Sequence, residues 1–309
     1  MYGSHTAAGT AKIYWEFHSS FTKIKSCKSD DFIPNIFLHE EKEYNEPEEI
    51  GKVFNTFFTS LSSTSLTSDK DCDDYIDKTF AKLKRENKIN LKTDPFNFVH
   101  TNENIVERII LKSNESSGAG LSGIPSKVIK YSCKIFAPIL TKLFNHCIDL
   151  NKFPIELKSA IVTPLYKIKG VKHDFNNYRG ISVLPPIAKI FEKILAMQIT
   201  IYLNQNNILF SGQHGFRNGH SCETALHELI SYLNENRNSR AITLLLFIDF
   251  RKAFDLVDSR KFLRKLFHYG FSNSALDMMT NYFTDRHQSV KYDKKTIPYI
   301  AHITWCAAR

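Results

Sequence analysis

The sequence predicts an α+β fold in which a β-hairpin and later strands are set among amphipathic helices, behind a mainly helical N-terminal segment. Three observations carry this. KSAIVTPLYK (158–167) and NYRGISVL (177–184) alternate apolar and polar residues with the period of two that a half-buried strand requires. Six stretches between Ile50 and Tyr282 repeat apolar residues at helical spacing. AITLLLFI (241–248) is an unbroken apolar run of strand length, the type buried on both faces of a sheet.

The elements follow in chain order. IGKVFNTFFTSL places Ile50, Val53, Phe54, Phe57, Phe58 and Leu61 on one helical face, between acidic clusters (EEKEYNEPEE, DKDCDD), and SLSSTSLTSD reads as linker. SSGAGLSGIPSKV is a glycine-bearing loop. It leads into a helix through Ile135, Ile139, Leu143, Phe144, Cys147 and Ile148 that Pro138 should kink or break. The hairpin comes next, joined by a polar loop over 168–177. After it, Ile187, Ile190, Phe191, Ile194, Leu195, Gln198 and Tyr202 trace a helix that tolerates Pro186 near its start. FSGQHGFRNGHS is a second glycine-rich loop, and Ser221 can cap a helix whose stripe is Ala225, Leu226, Leu229, Ile230 and Leu233. Two short helices follow the apolar strand, around Phe262–Phe267 and Leu276–Tyr282, and RHQSVKY reads as a last strand.

Composition sets outer limits. At 309 residues, 42% hydrophobic and 24% charged, the chain can bury a sizeable core. Six scattered cysteines without a Cys-x-x-Cys pair argue against a disulfide framework and for a reduced compartment. The N-terminus has no signal-type apolar core, and the longest apolar run is too short to span a bilayer, so no membrane partner is expected. These features predict an intracellular protein, in nucleus or cytoplasm, that is not secreted. Residues 1–100 hold 13 Lys+Arg against 16 Asp+Glu, while residues 101–309 hold 28 against 16. A basic excess confined to one region suits a polyanion, because phosphate contacts release counterions.

Candidate chemistry lies where charge interrupts this pattern. Asp249 ends the apolar run, where a carboxylate is costly unless paired or bound to a cation; Arg251 and Lys252 are one answer, and a hard ion such as Mg²⁺ is the other. Lys167 shares a strand face with Ile161, Thr163 and Leu165, and Arg179 shares one with Ile181 and Val183. Both cations therefore stand at the loop ends of adjacent strands, with Lys169 and Lys172 in the loop, an arrangement suited to a triphosphate or a nucleic-acid backbone. Arg217 follows the flexible Gly215. His214, His220 and Cys222 lack a second pair at ligand spacing and do not make a zinc site.

In this order, SSGAGLSGIP, FPIELKSAIVTPLYK, NNYRGISVLPPIAKIFEKIL, LFSGQHGFRNGHSCETAL, LLFIDFRKAFDLVDSRKFLRKLFHYGF and YFTDRHQSV resemble the reverse transcriptase domain of non-LTR retrotransposons, especially the jockey-like branch. The resemblance implies a right-hand polymerase, with fingers and the start of a palm over 105–293, an N-terminal helical and linker segment over 1–104, and a divergent tail over 294–309. It implies RNA-directed DNA polymerase chemistry on an RNA template, a DNA primer and deoxynucleoside triphosphates. Asp249 would be a catalytic Mg²⁺ ligand with the carbonyl of Phe250. Lys167 and Arg179 would bind the nucleotide's phosphates, Phe254 would lie under its sugar, and Arg217, Lys169 and Lys172 would contact nucleic acid. Asp255 and Asp258 look structural, and Asp258 is placed to cap a helix starting near Ser259.

The chain also departs from that pattern. Two-metal phosphoryl transfer needs further carboxylates, which the family supplies in an Ala-Asp-Asp turn after a Gly-x-Pro-Gln-Gly loop, and neither occurs here. After Tyr292 the sequence reads DKKTIPYIAHITWCAAR, and Gly180 stands where a proline is usual. These departures imply an inactive fragment. The alternatives are a non-catalytic nucleic-acid-binding remnant and a poorly folded product.

Overall fold

A computed structural model describes residues 34, 36–39, 42–59, 68–89, 91, 94–250, 253, 256–292 and 295–297. Among these, two short strands, β1 (Phe37–His39) and β2 (Lys42–Tyr44), pair antiparallel ahead of helices α1 (Pro47–Thr59) and α2 (Asp69–Arg85). Helices α3 (Glu103–Leu111), α4 (Ser126–Tyr131) and α5 (Cys133–Asp149) lead to strands β3 (Ser159–Tyr166) and β4 (Tyr178–Val183). Then come α6 (Pro186–Gln205), α7 (Cys222–Asn238), α8 (Ser259–His268), α9 (Asn273–Phe283), β5 (His287–Tyr292) and β6 (Lys295–Ile297). The sheet order is β4-β3-β5-β6, with β3 antiparallel to β4 and parallel to β5. Helices and a mixed sheet make this an α+β molecule.

Two apolar clusters hold it together. In the first, helices α3, α5, α6 and α9 converge on Val106, Phe144, Phe191, Ile194 and Met278, with the Phe144 and Phe191 rings stacked at 4.6 Å. The second fills the space between α1 and the sheet. Phe37, Ile50 and Phe54 meet Val162, Phe175, Tyr178, Val290 and Tyr292 there, with Phe54 edge-on to Phe175 at 4.6 Å. The helical spacing of the α1 aromatics is what lets one face of that helix cover the sheet.

Local signals account for several boundaries. Pro186 occupies the first turn of α6, where its missing N–H costs nothing. The Ser221 hydroxyl accepts from Thr224 N–H and the Thr224 hydroxyl accepts from Ser221 N–H, a reciprocal cap on α7. Asp258 caps α8 by accepting from Lys261 N–H at 3.1 Å.

The structure also corrects the sequence. Residues 241–248 form no strand; Leu244, Leu246, Phe247 and Ile248 are 73–92% exposed. A strand buried on both faces needs partners on its edges and layers over its faces. Here β4 and β5 take the two edges of β3, and no described strand lies beside 241–248. The α7 stripe is uncovered with it: between Asn206 and Leu266 no described residue is buried. Pro138 does not break α5, which runs through it from Cys133 to Asp149; the interruption falls earlier, at Ser132 between α4 and α5. The buried face of α5 is Ala137, Leu140, Phe144 and Cys147, leaving Ile135, Ile139 and Leu143 exposed. Finally, the acidic cluster DKDCDD opens a helix, α2, that the sequence reading did not place: Ser68 caps it, acids fill its first turn, and Lys82, Lys84 and Arg85 fill its last. Leu61 and most of the expected linker, 60–67, lie outside the described residues, as does all of the 294–309 tail except 295–297.

Candidate nucleotide and nucleic-acid interface

The hairpin register sets the geometry. Leu165 pairs with Arg179, Thr163 with Ile181 and Ile161 with Val183. Directly opposed residues of an antiparallel pair share a face, so Arg179 stands with Ile161, Thr163, Leu165 and Ile181 on the side away from α1. Lys167 continues that alternation just past the end of β3, and its backbone N–H donates to Asn177 O at 2.8 Å. The two cations predicted to converge do stand on one face at one end of the hairpin.

The loop joining the strands is fastened at many points. Tyr178 Oη donates to Lys172 O at 2.9 Å, Tyr166 Oη bonds Gly170 O, and Asn177 Nδ2 donates to Val171 O at 2.9 Å. Burial pushes the Tyr178 phenol well above its usual range, so it stays a donor. Gly170 has φ +83°, and a Cβ there would meet the Asn177 amide at 2.5 Å. Lys167 Nζ donates to Asn176 O at 2.6 Å, and Lys172 Nζ lies 5.8 Å from the Tyr166 ring centroid. Lys169 and Lys172 are exposed. The result is a pinned loop with Lys169 and Lys172 on its surface and Lys167 bonded to its backbone.

At its other end the same face meets the first glycine loop. A Cβ on Gly118 would meet Val183 Cγ1 at 2.9 Å, and one on Gly120, at φ +61°, would meet Pro185 N at 2.7 Å. Lys189 of α6 donates to Ser117 Oγ at 2.7 Å and fixes the loop there. The open face therefore runs from Lys167 and Arg179 to a glycine loop that approaches β4 closely. Sequence reading placed both ends but not their junction, because only the fold brings Gly118 to Val183.

Arg217 is half-buried, its Nη1 donating to Phe210 O at 3.2 Å. His214 divides its ring nitrogens between Thr224 Oγ1 (2.8 Å) and Glu228 Oε2 (2.7 Å). Asp249 and Phe250 are exposed, and no ion pair joins Asp249 to Lys167 or Arg179 among the described residues. The segment is tied at its start, where Ala241 N–H donates to Asn236 O at 2.9 Å and Asn236 Nδ2 to Thr243 Oγ1 at 3.1 Å. Arg251, Lys252, Phe254 and Asp255 lie outside the described residues.

Residues 170–299 match the family model for reverse transcriptase, an RNA-dependent DNA polymerase. Over 188 residues the chain is 28% identical to the probable RNA-directed DNA polymerase from transposon X-element of Drosophila melanogaster, covering 59% of this chain and 20% of that protein. Identity is 25% over 152 residues to the RNA-directed DNA polymerase from mobile element jockey of the same organism (49% and 17%). It is 30% over 190 residues to the putative 115 kDa protein in type-1 retrotransposable element R1DM, also from Drosophila melanogaster (60% and 18%). Over these residues the chain is similar to reverse transcriptases of the jockey-like kind. It spans about a fifth of the length of these relatives. Arg179, Arg217 and Asp249 fall inside the family match, and Lys167 lies three residues before it.

Reverse transcriptases use divalent metal ions, and such an ion needs several oxygen donors gathered in one place. The Asp249 carboxylate and Phe250 carbonyl are hard oxygen donors of the right type. Among the described residues, however, no three acidic, His or Cys side chains gather into a metal-holding group. One carboxylate does not make a two-metal site, and the described residues do not complete one.

Proposed function

We propose that residues 105–293 are the fingers and the opening of the palm of a right-hand RNA-directed DNA polymerase, with Lys167 and Arg179 holding the triphosphate of an incoming deoxynucleotide. The observation that carries this is the β3–β4 register, which sets both cations at one end of an open face, Arg179 inside the reverse transcriptase match and Lys167 three residues before it. A guanidinium can grip phosphate oxygens in pairs, while an ammonium acts as a point charge. Lys169, Lys172 and Arg217 extend the positive surface along an RNA template and DNA primer, and Phe254 lies under the nucleotide's sugar. Asp249, with the carbonyl of Phe250, is this chain's share of a Mg²⁺ site. Residues 1–104 are an N-terminal segment whose Phe37, Ile50 and Phe54 brace the hairpin from behind, and 294–309 a divergent tail whose residues 295–297 add β6 to the sheet. The protein works inside the cell, in cytoplasm or nucleus.

With Asp249 the one candidate metal-binding carboxylate among the described residues, the chain by itself binds nucleotide and nucleic acid without extending a primer. Titration with a fluorescent deoxynucleoside triphosphate tests the binding claim. Arg179→Ala and Lys167→Ala should each weaken binding roughly tenfold to a hundredfold, the value of hydrogen bonds to charged groups. Unchanged affinity in both variants would remove the assignment. Extension of a primed RNA template by the chain alone, abolished by Asp249→Ala, would overturn the claim that it cannot polymerise.

A further inference from the structure

Helix α2 is docked on α8 by a ladder of charges that nothing in the polymerase reading uses. Asp69, Asp73 and Asp77 lie at successive four-residue steps of α2, about 6 Å apart along its axis. Arg260, Arg264 and His268 repeat the same step on α8. Arg260 Nη1 grips both Asp73 oxygens at 2.9 and 2.7 Å, and its Nη2 lies 3.0 Å from Asp69. Arg264 Nε donates to Asp77 at 3.0 Å, its Nη2 bonds the other Asp77 oxygen, and its Nη1 lies 3.5 Å from Asp73. His268 Nε2 lies 2.7 Å from Asp77 Oδ1. Apolar contacts fasten α2 as well: its buried side chains are Ile76 and Phe80, the latter stacked on the His268 ring at 4.6 Å and edge-on to Tyr269 at 4.9 Å.

A row of carboxylates at regular spacing offers arginine forks what a phosphodiester strand offers, a line of single negative charges with paired oxygens. Exposed ion pairs contribute little net holding power. Most of these groups are partly open to water, so a strand of phosphates can compete for the arginines at small cost. The acidic half of α2 belongs to the one region of the chain with an acidic excess, and α8 lies in the strongly basic region.

We propose that the Arg260, Arg264 and His268 face of α8 is a binding surface for a nucleic-acid phosphodiester backbone, which α2 covers in the free chain and yields when nucleic acid binds. This deepens the polymerase reading and rests on it.

The test is fluorescence anisotropy of the full chain with a fluorescein-labelled oligouridylate across a salt series. Asp69→Asn/Asp73→Asn/Asp77→Asn should bind roughly tenfold more tightly, with a slope of log affinity against log salt steeper by about 2 for three exposed cations. A control with the same charge change elsewhere, Glu156→Gln/Glu235→Gln/Asp277→Asn, should not reproduce the gain. Adding Arg260→Gln/Arg264→Gln should abolish the gain in the uncovered variant and lower the parent's affinity by a smaller factor, because the parent must displace α2 before it can use these arginines. If the uncovered variant does not fold, amide exchange of residues 69–85 in the unaltered chain decides: it should quicken when oligouridylate saturates the protein, and unchanged exchange overturns the proposal. Absence of binding by both parent and uncovered variant defeats the polymerase reading together with this one. Binding by the parent with no gain beyond the control, or a gain that survives loss of the arginines, defeats the cover alone.

Discussion

Gly180 lies on β4 where α1 crosses the sheet, and a Cβ there would sit 2.9 Å from Val162 Cγ1 and 3.4 Å from the Phe58 ring. Both neighbours are part of the packed layer behind the hairpin, so Gly180→Ala should destabilise the chain by about 1–3 kcal/mol, the range for overpacking. Urea unfolding monitored by tyrosine fluorescence would show it as a lower midpoint at constant slope, and an unshifted midpoint would mean that α1 gives way freely. The sequence marked Gly180 as a departure without a reason, because the reason is a helix more than a hundred residues upstream. Lys167 and Arg179 were legible for the opposite cause. Their common face follows from a period of two and a short loop, both local. Ser221 and Asp258 were legible on the same grounds, since a cap is decided within three residues.

Helices show where local reading stops. The face of α6 was readable because Ile190, Phe191, Ile194 and Leu195 carry the full helical period, whereas α5 has apolar residues all round and only its neighbours choose which set is buried. Phe144, fully buried and stacked on Phe191, marks the chosen side. Phe144→Ala should cost about 3–5 kcal/mol, while truncating the exposed Ile135 should stay within about 0.5 kcal/mol; equal thermal shifts would reverse the assignment of faces. Helix α2 was not legible, because its acidic start reads only as a charge cluster and its partner is α8. That partnership has a pH signature. The Arg264 hydrogen bond, then that of His268, lowers the Asp77 pKa from 3.8 to about 2. A carboxylate held below its unfolded value stabilises the docked state fully above 3.8, and that contribution is lost as pH falls towards about 2. Pepsin cleavage within 69–85 should therefore accelerate over that interval, and Asp77→Asn should flatten the dependence. A profile unchanged by Asp77→Asn would detach the effect from this residue.

Across the whole molecule, the charged face and the helical body were readable, but the fate of 241–250 was not, since apolar character alone does not supply a covering layer. Exposed Leu244, Leu246, Phe247 and Ile248 form an uncharged window without proline, a composition that favours intermolecular strand pairing. Leu246→Lys/Ile248→Lys should suppress aggregation and dye binding by the isolated chain while leaving its thermal midpoint nearly unchanged. A lowered midpoint would show that the segment is packed. The parallel pairing of β3 with β5 adds a matter of timing. Ser159 meets His287, and Phe153 N–H reaches Asn281 Oδ1 across 128 residues of sequence. On a ribosome adding about 5–20 residues per second, β3 waits roughly 6–26 s for that partner. During the wait the 241–248 segment emerges first, apolar and unpaired, so the birth order of the strands sets a competition for the open edge of β3 that the finished molecule no longer displays.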